Sequence, residues 1–179
     1  MSYEVKIPRE RIAVLIGTKG ETKKLVEKKT NTKLKIDSEE GDVLIESKES
    51  IDAYNAQDVI KAIGRGFNPE IAISLTKESK CLEIIDMDDY AKTKNHLARI
   101  KARIIGREGK VRKFIEHVTE CYMCIYGKTV SIIGEVENIA IAKKTVQDIL
   151  SGAPHGPVFK WAEQKMKQLI KEQFLIEHN

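Results

Sequence analysis

Ile16-Gly17-Thr18-Lys19-Gly20 recurs 89 residues later as Ile105-Gly106-Arg107-Glu108-Gly109. A lone G-x-x-G is a common tetrapeptide. Two copies at the same place in a repeated stretch carry far more weight. Shifted by 89, Leu15 falls on Ile104, Leu25-Val26-Glu27 on Phe114-Ile115-Glu116, Thr30 on Thr119, Leu34 on Met123 and Ile36 on Ile125. The shift is 87 at Val43 and Ile45, which match Val130 and Ile132. It is 86 at Ala56, Ile60 and Ile63, which match Ala142, Val146 and Ile149. Solenoid units repeat every ~20–50 residues, so this much longer period means two tandem domains.

Local patterns give each copy the same order. Tyr3 to Ile7 alternates as a strand does, and Pro8 stops it. Glu10 to Ile16 and Glu21 to Thr30 read as helices broken apart by Gly17 and Gly20. Lys33 to Asp37 and Asp42 to Ser47 read as a hairpin, and Ser50 to Ile63 as an amphipathic helix with Gly64 as its C-cap. In the second copy, Leu82 to Asp86 predicts a strand, followed by a helix ending at Ile105 and another over Lys110 to Thr119. Tyr122 to Tyr126 and Thr129 to Ile133 then pair across a tight Gly127-Lys128 turn. Val136 to Leu150 closes the copy as a helix. The domains are predicted at residues 1–66 and 81–153. Between them lies a linker, 67–80, with a short helix that Asn68 caps and Pro69 opens. Residues 154–179 predict a C-terminal helix. Its stripe of Phe159, Ala162, Met166, Leu169, Ile170 and Phe174 is expected to dock on the second copy, with partner binding as the alternative.

Composition narrows the class. The chain has 179 residues, 41% of them hydrophobic and evenly spread, which argues against disorder. No apolar run reaches the ~20 residues of a membrane span, and Met1 leads straight into a charged segment rather than a signal pattern. Three cysteines make no even disulfide set. The cytoplasm is the expected compartment.

A net charge of +4 says little by itself, but its placement says more. Between Lys94 and Lys113 lie Arg99, Lys101, Arg103, Arg107, Lys110 and Arg112, with Glu108 the only acid. The lysines around the first loop are diluted by Glu21 and Glu27. A solvated helix face is the bland account of such a run. The functional account is favoured because the run is centred on a loop suited to phosphate. Two glycines let the backbone approach a ligand closely. The next helix then offers unpaired N–H groups and the positive end of its dipole. The predicted contact residues are Gly17, Thr18, Lys19, Gly20 and Lys23 in the first copy. In the second they are Arg103, Ile105, Gly106, Arg107, Glu108, Gly109, Lys110, Arg112, Lys113, Met123 and Ile125. Ile12, Leu15, Ile16, Leu25, Leu34 and Ile36 in the first copy, and Ile104 and Phe114 in the second, are further candidates for core or groove. With 6% aromatic residues, an extended stacking platform is not expected.

Other chemistry is less well supported. Cys121 and Cys124 form a C-x-x-C without the second pair that a four-ligand zinc site needs. His96, His117, His155 and His178 match no metal motif. Asp86, Asp88 and Asp89 could serve a metal-dependent nuclease, but helix capping and turn polarity explain them more simply. No metal, cofactor or catalytic residue is expected.

The repeated I-G-x-x-G loops, each opening a helix before two short strands, resemble the KH domain, which clamps about four nucleotides of a single strand. Longer stretches resemble the Krr and partner-of-Nob family of small-subunit ribosome-assembly proteins. These are Gly64-Arg65-Gly66-Phe67-Asn68-Pro69-Glu70, Lys94-Asn95-His96-Leu97, Arg103 to Lys110, Tyr126-Gly127-Lys128-Thr129-Val130 and Ser151-Gly152-Ala153-Pro154. With both loops intact, the chain looks like an archaeal member. The resemblance implies an α+β fold of two type I KH domains, each β-α-α-β-β-α. Each would have a three-stranded antiparallel sheet with helices on one face. It also implies a non-enzymatic role, binding single-stranded RNA near the 3′ end of small-subunit rRNA during maturation. The implied protein partners are the Nob-type endonuclease and the alpha subunit of initiation factor two. The alternative is a KH-fold scaffold that joins such factors with little RNA affinity of its own.

Overall fold

The computed structural model describes residues 1–178, which divide into two compact units, Met1–Leu82 and Glu83 onward. The first unit runs β1 (Ser2–Lys6), α1 (Arg9–Ile16), α2 (Glu21–Thr30), β2 (Lys33–Ile36), β3 (Asp42–Glu46), α3 (Ser50–Gly64) and α4 (Pro69–Ile73). Its sheet has the order β1-β3-β2, antiparallel throughout. The strand pattern is strict. Leu34, Val43, Ile45 and Val5 face inward, while Lys33, Lys35 and Lys6 stay exposed. The inward set meets Leu15, Val26, Ala56, Val59, Ile60 and Ile63 from the helices in a core that excludes water.

The second unit holds β4 (Lys80–Asp86), α5 (Lys94–Ile105), α6 (Lys110–Thr119), β5 (Tyr122–Tyr126), β6 (Thr129–Glu135), α7 (Val136–Leu150) and α8 (His155–Glu177). Its sheet has the matching order β4-β6-β5. β5 and β6 pair Tyr126 with Thr129 across the two-residue turn, as the spacing predicts. Each unit is therefore α+β, with one three-stranded antiparallel sheet.

The structure corrects several local expectations. Gly64 is the last residue of α3 rather than its cap, and it is glycine for a packing reason. A Cβ there would lie 2.6 Å from Ile7 Cγ2. Within residues 67–80, expected as a linker with a short helix, α4 and the turn after it pack on α3, with Phe67, Ala72 and Leu75 buried. Asn68 does cap α4, accepting from the Glu70 amide at 2.9 Å, with Pro69 in the first turn. The apolar stripe of α8 is only half covered. Val158, Ala162 and Met166 are buried, whereas Ile170 and Phe174 are exposed.

α4 and α8 occupy the same place in their copies, each following the closing helix after a short turn. An arginine holds that turn in each unit. In the first, Arg11 donates to the carbonyls of Ile63 (2.8 Å) and Phe67 (3.0 Å). In the second, Arg103 donates to the matching carbonyls of Ile149 (2.8 Å) and Ala153 (2.6 Å). His155 Nε2 meets the Arg103 carbonyl at 3.0 Å. The two arginines come from different positions on their helices, so sequence alignment does not pair them.

Candidate nucleic-acid interface

The two glycine loops share one backbone conformation. Gly17 has φ 72°, ψ 177° and Gly106 has φ 72°, ψ 172°. This region is open to glycine almost alone. A Cβ on Gly17 would sit 2.2 Å from Thr22 Oγ1, and one on Gly106 would sit 2.4 Å from Val111 Cγ2. The first glycine of each loop therefore lets the chain pass against the next helix. The second glycine works differently. Gly20 and Gly109 are left-handed, at φ 77° and 74°. Nothing crowds a Cβ on Gly20, and on Gly109 only Lys113 Cε comes within 4.0 Å. Between the glycines, Lys19 (φ 52°) and Glu108 (φ 55°) are left-handed without being glycine. Such a residue stores about 1 kcal/mol of strain or more.

α1 ends as the Gly17 amide donates to Ala13 O at 2.9 Å, and α5 as Gly106 donates to Ala102 O at 2.8 Å. The next amides open a short helical turn, where the first N–H groups lack intrahelical acceptors. α2 and α6 follow at once. The loop thus presents backbone donors and the positive end of a helix on an exposed surface, an arrangement suited to phosphate.

Beside each loop runs a seam between a helix and an edge strand. Glu27 Oε1 accepts from the Leu34 amide at 2.8 Å, and Glu116 Oε1 accepts from the Met123 amide at 2.8 Å. These two carboxylates clip α2 to β2 and α6 to β5. The sequence repeat aligned them without revealing that role. In an antiparallel pair, successive residues alternate in facing the partner strand. Leu34 and Met123 point their N–H groups off the sheet edge, and so do the next residues in that phase, Ile36 and Ile125. An edge strand leaves such groups free to bind. Ile36 and Ile125 are half-buried, so each seam has an apolar wall with a backbone donor in it.

The structure also redistributes the expected site residues. Arg103 is a structural clamp whose guanidinium is taken by two carbonyls. Met123 is 4% exposed and belongs to the core, as do Ile12, Leu15, Leu34 and Ile104. Ile105 is half-buried at the end of α5. Phe114 is covered by α8, with its ring 4.2 Å from that of Phe159 between centroids, while its counterpart Leu25 stays 39% exposed. Arg112 leans toward Glu116 at 3.7 Å, too far for a hydrogen bond, and Lys23 lies 3.9 Å from Glu27. Lys101 donates to the Gly127 carbonyl. This leaves Lys94, Arg99, Arg107, Lys110 and Lys113 exposed on the second unit, and Thr18 and Lys19 on the first. Asp86 caps the Asp88 amide and Asp88 pairs with Lys128 at 3.0 Å, so these acids serve the turn. Among the described residues, no three His, Cys, Asp or Glu side chains gather where they could hold a metal.

Family models match both units. A KH domain model covers residues 2–62, and a model described as a eukaryotic type, type I KH domain covers residues 81–167. The chain is 43% identical over 174 residues to the KH domain-containing protein MJ0443 of Methanocaldococcus jannaschii, covering 95% of this chain and 76% of that one. The chain belongs to the tandem KH-domain family of the PNO1/Dim2 type. It is 45% identical to aDim2p of Pyrococcus horikoshii in a structure titled as an a/eIF2alpha-aDim2p-rRNA complex. That match has a TM-score of 0.88 and covers 94% of this chain and 95% of that one. It is also 31% identical over 105 residues to the pre-rRNA-processing protein PNO1 of Chaetomium thermophilum, covering 57% of this chain and 40% of that protein. The chain thus spans well under half of that eukaryotic relative. PNO1/Dim2-type proteins are RNA-binding factors of ribosome biogenesis, and KH proteins are not a family of enzymes. No helix among the described residues is long and apolar enough to cross a membrane.

Proposed function

We propose that this chain binds single-stranded rRNA near the 3′ end of the small-subunit rRNA during its maturation. The second unit's loop would carry most of the affinity. The observation behind this reading is the loop pair itself, two copies of one strained backbone that aims donors at solvent. Only the second is flanked by a nearly unopposed set of cations. In this reading, Gly106 to Gly109 and Lys110 hold phosphates, with Arg107 and Lys113 adding charge. Ile105 and Ile125 form the apolar wall, and the Ile125 amide meets a base edge. Gly17 to Gly20 form a second clamp, with Lys19 and Lys23 beside it. The aDim2p complex supports rRNA and the alpha subunit of initiation factor two as partners. The Nob-type endonuclease belongs to the same proposal.

The test is a titration of an oligonucleotide matching that 3′ end, beside a scrambled strand and a duplex, across a salt series. Each neutralised phosphate on a single strand contributes a slope of about −0.7 in log K against log salt. The expected result is salt-sensitive binding that prefers the authentic strand and is lost when Arg107 and Glu108 both become Asp. Affinity that ignores that double change would refute the assignment of the second loop.

A further inference from the structure

The first unit carries a pocket of about 940 Å³ whose walls include Glu27, Lys28, Asn31, Lys33, Glu46 and Lys48. It lies at the far end of α2 from the glycine loop. The ten residues of α2 separate the two by about 15 Å, at 1.5 Å per residue. Glu27 lines the pocket and also clips α2 to the edge of β2. The pocket therefore begins where the seam between helix and strand ends.

Its two acids, Glu27 and Glu46, stay charged but each already has a partner, and three lysines outnumber them. Glu27 holds the Leu34 amide, and Glu46 is bound by Lys35 at 2.6 Å. Asp52, next to the rim, accepts from Asn31 at 2.9 Å. Lys28, Lys33 and Lys48 remain exposed. The repeat supplies an internal control. At the positions matching Lys28 and Lys33 the second unit has His117 and Tyr122, with Glu120 in place of Asn31. Its passage into the closing helix is one residue shorter where Lys48 stands, Glu135 answering to the capping Glu49. The fold accepts His117 and Tyr122 equally well, so it does not require lysine at those two positions. A cationic pocket in line with a groove for a polyanion suits more of the same strand.

We propose that this pocket receives the phosphate backbone of a bound single strand beyond the four nucleotides held at the first loop. The first unit would then have a longer footprint than the second. The inference rests on the RNA-binding reading above. Its test uses the full chain with Arg107→Asp and Glu108→Asp silencing the second loop, and compares a tetranucleotide with an octanucleotide. Lys28→Ala, Lys33→Ala and Lys48→Ala together are expected to weaken octamer binding on the order of ten-fold. They should also flatten its salt slope by about 1.4, the share of two single-strand phosphates. Tetramer binding is expected to stay within two-fold. Equal effects on both lengths, or none on either, overturn the proposal while leaving RNA binding by this unit intact. An octamer that fails to bind the silenced chain at all sinks the RNA reading of the unit, and the pocket with it. Circular dichroism melts establish that every variant is folded.

Discussion

The two glycines of the second loop do different work, and alanine substitution separates them. Gly106→Ala forces a side chain into a backbone region that costs ~1–3 kcal/mol. It also drives a methyl to 2.4 Å from Val111 Cγ2 and 2.8 Å from the Val111 amide. Overpacking of that kind adds ~1–3 kcal/mol. The sum, about 4 kcal/mol, approaches the whole stability of a small domain. Gly109→Ala meets only the flexible end of Lys113 at 4.0 Å, an ordinary contact, so the left-handed strain is what remains, about 1 kcal/mol. Trp161, the only tryptophan in the chain, lies in α8 and reports the second unit. Urea unfolding followed by its fluorescence is expected to give a much lower midpoint for Gly106→Ala, while Gly109→Ala stays near the parent. RNA affinity should divide the other way among folded molecules. In the proposed RNA-binding reading the Gly109 methyl would project into the path of the strand, so this variant should lose more affinity than stability. Equal midpoints for the two variants would refute the division of labour.

Arg103→Ala should destabilise the second unit by about 3 kcal/mol, since it deletes two charge-assisted hydrogen bonds to half-buried carbonyls. Trp161-monitored unfolding measures this, and Arg103→Lys should not restore it, because one ammonium cannot span both carbonyls in a planar fork. If Arg103 instead acts mainly on RNA, Ala would leave the midpoint in place. Asp58 offers a pH test. Burial raises its carboxyl pKa above 3.8, with Lys61 pulling weakly the other way. The folded state therefore binds the proton more tightly than the unfolded one, so stability is lost as pH rises from the ordinary carboxyl value through the folded one, and the full cost stands above it. Asp58→Asn should raise the melting temperature at pH 7, and the gain should vanish below the ordinary carboxyl pKa. A gain that persists at pH 3 would point to a cause other than charge.

Much of this was legible in the sequence, and the reasons are physical. Helix and strand assignments rested on periods of 3.6 and 2 set by burial, and both copies had to satisfy them. The ends of α2, α6 and α7 fall where the pattern put them. The loop was legible because few sequences other than paired glycines tolerate its dihedrals. Side chains that serve the fold through long-range hydrogen bonds were not. Arg103 sits in a run of cations and looks like its neighbours. Only the carbonyls of Ile149 and Ala153, 46 and 50 residues away, distinguish it. Glu27 and Glu116 were aligned by the repeat, yet their role depends on strand edges that a linear pattern does not show. Met123 and Ile125 alternate like any strand residues, and only burial places the first in the core and the second on the seam.

The repeat also bears on how such a chain can be cut. A domain boundary drawn at the end of α3 or α7 leaves six elements, but the structure repeats seven. In the second copy the seventh is α8, whose Phe159 covers Phe114 and whose approach is fixed by Arg103 and His155. A fragment stopped near residue 153 would expose Phe114, remove His155 from the Arg103 carbonyl, and leave Ala153, one of the two acceptors of the Arg103 guanidinium, at a free chain end. Loss of RNA binding by such a fragment would then record a broken scaffold and would not by itself assign a contact to α8.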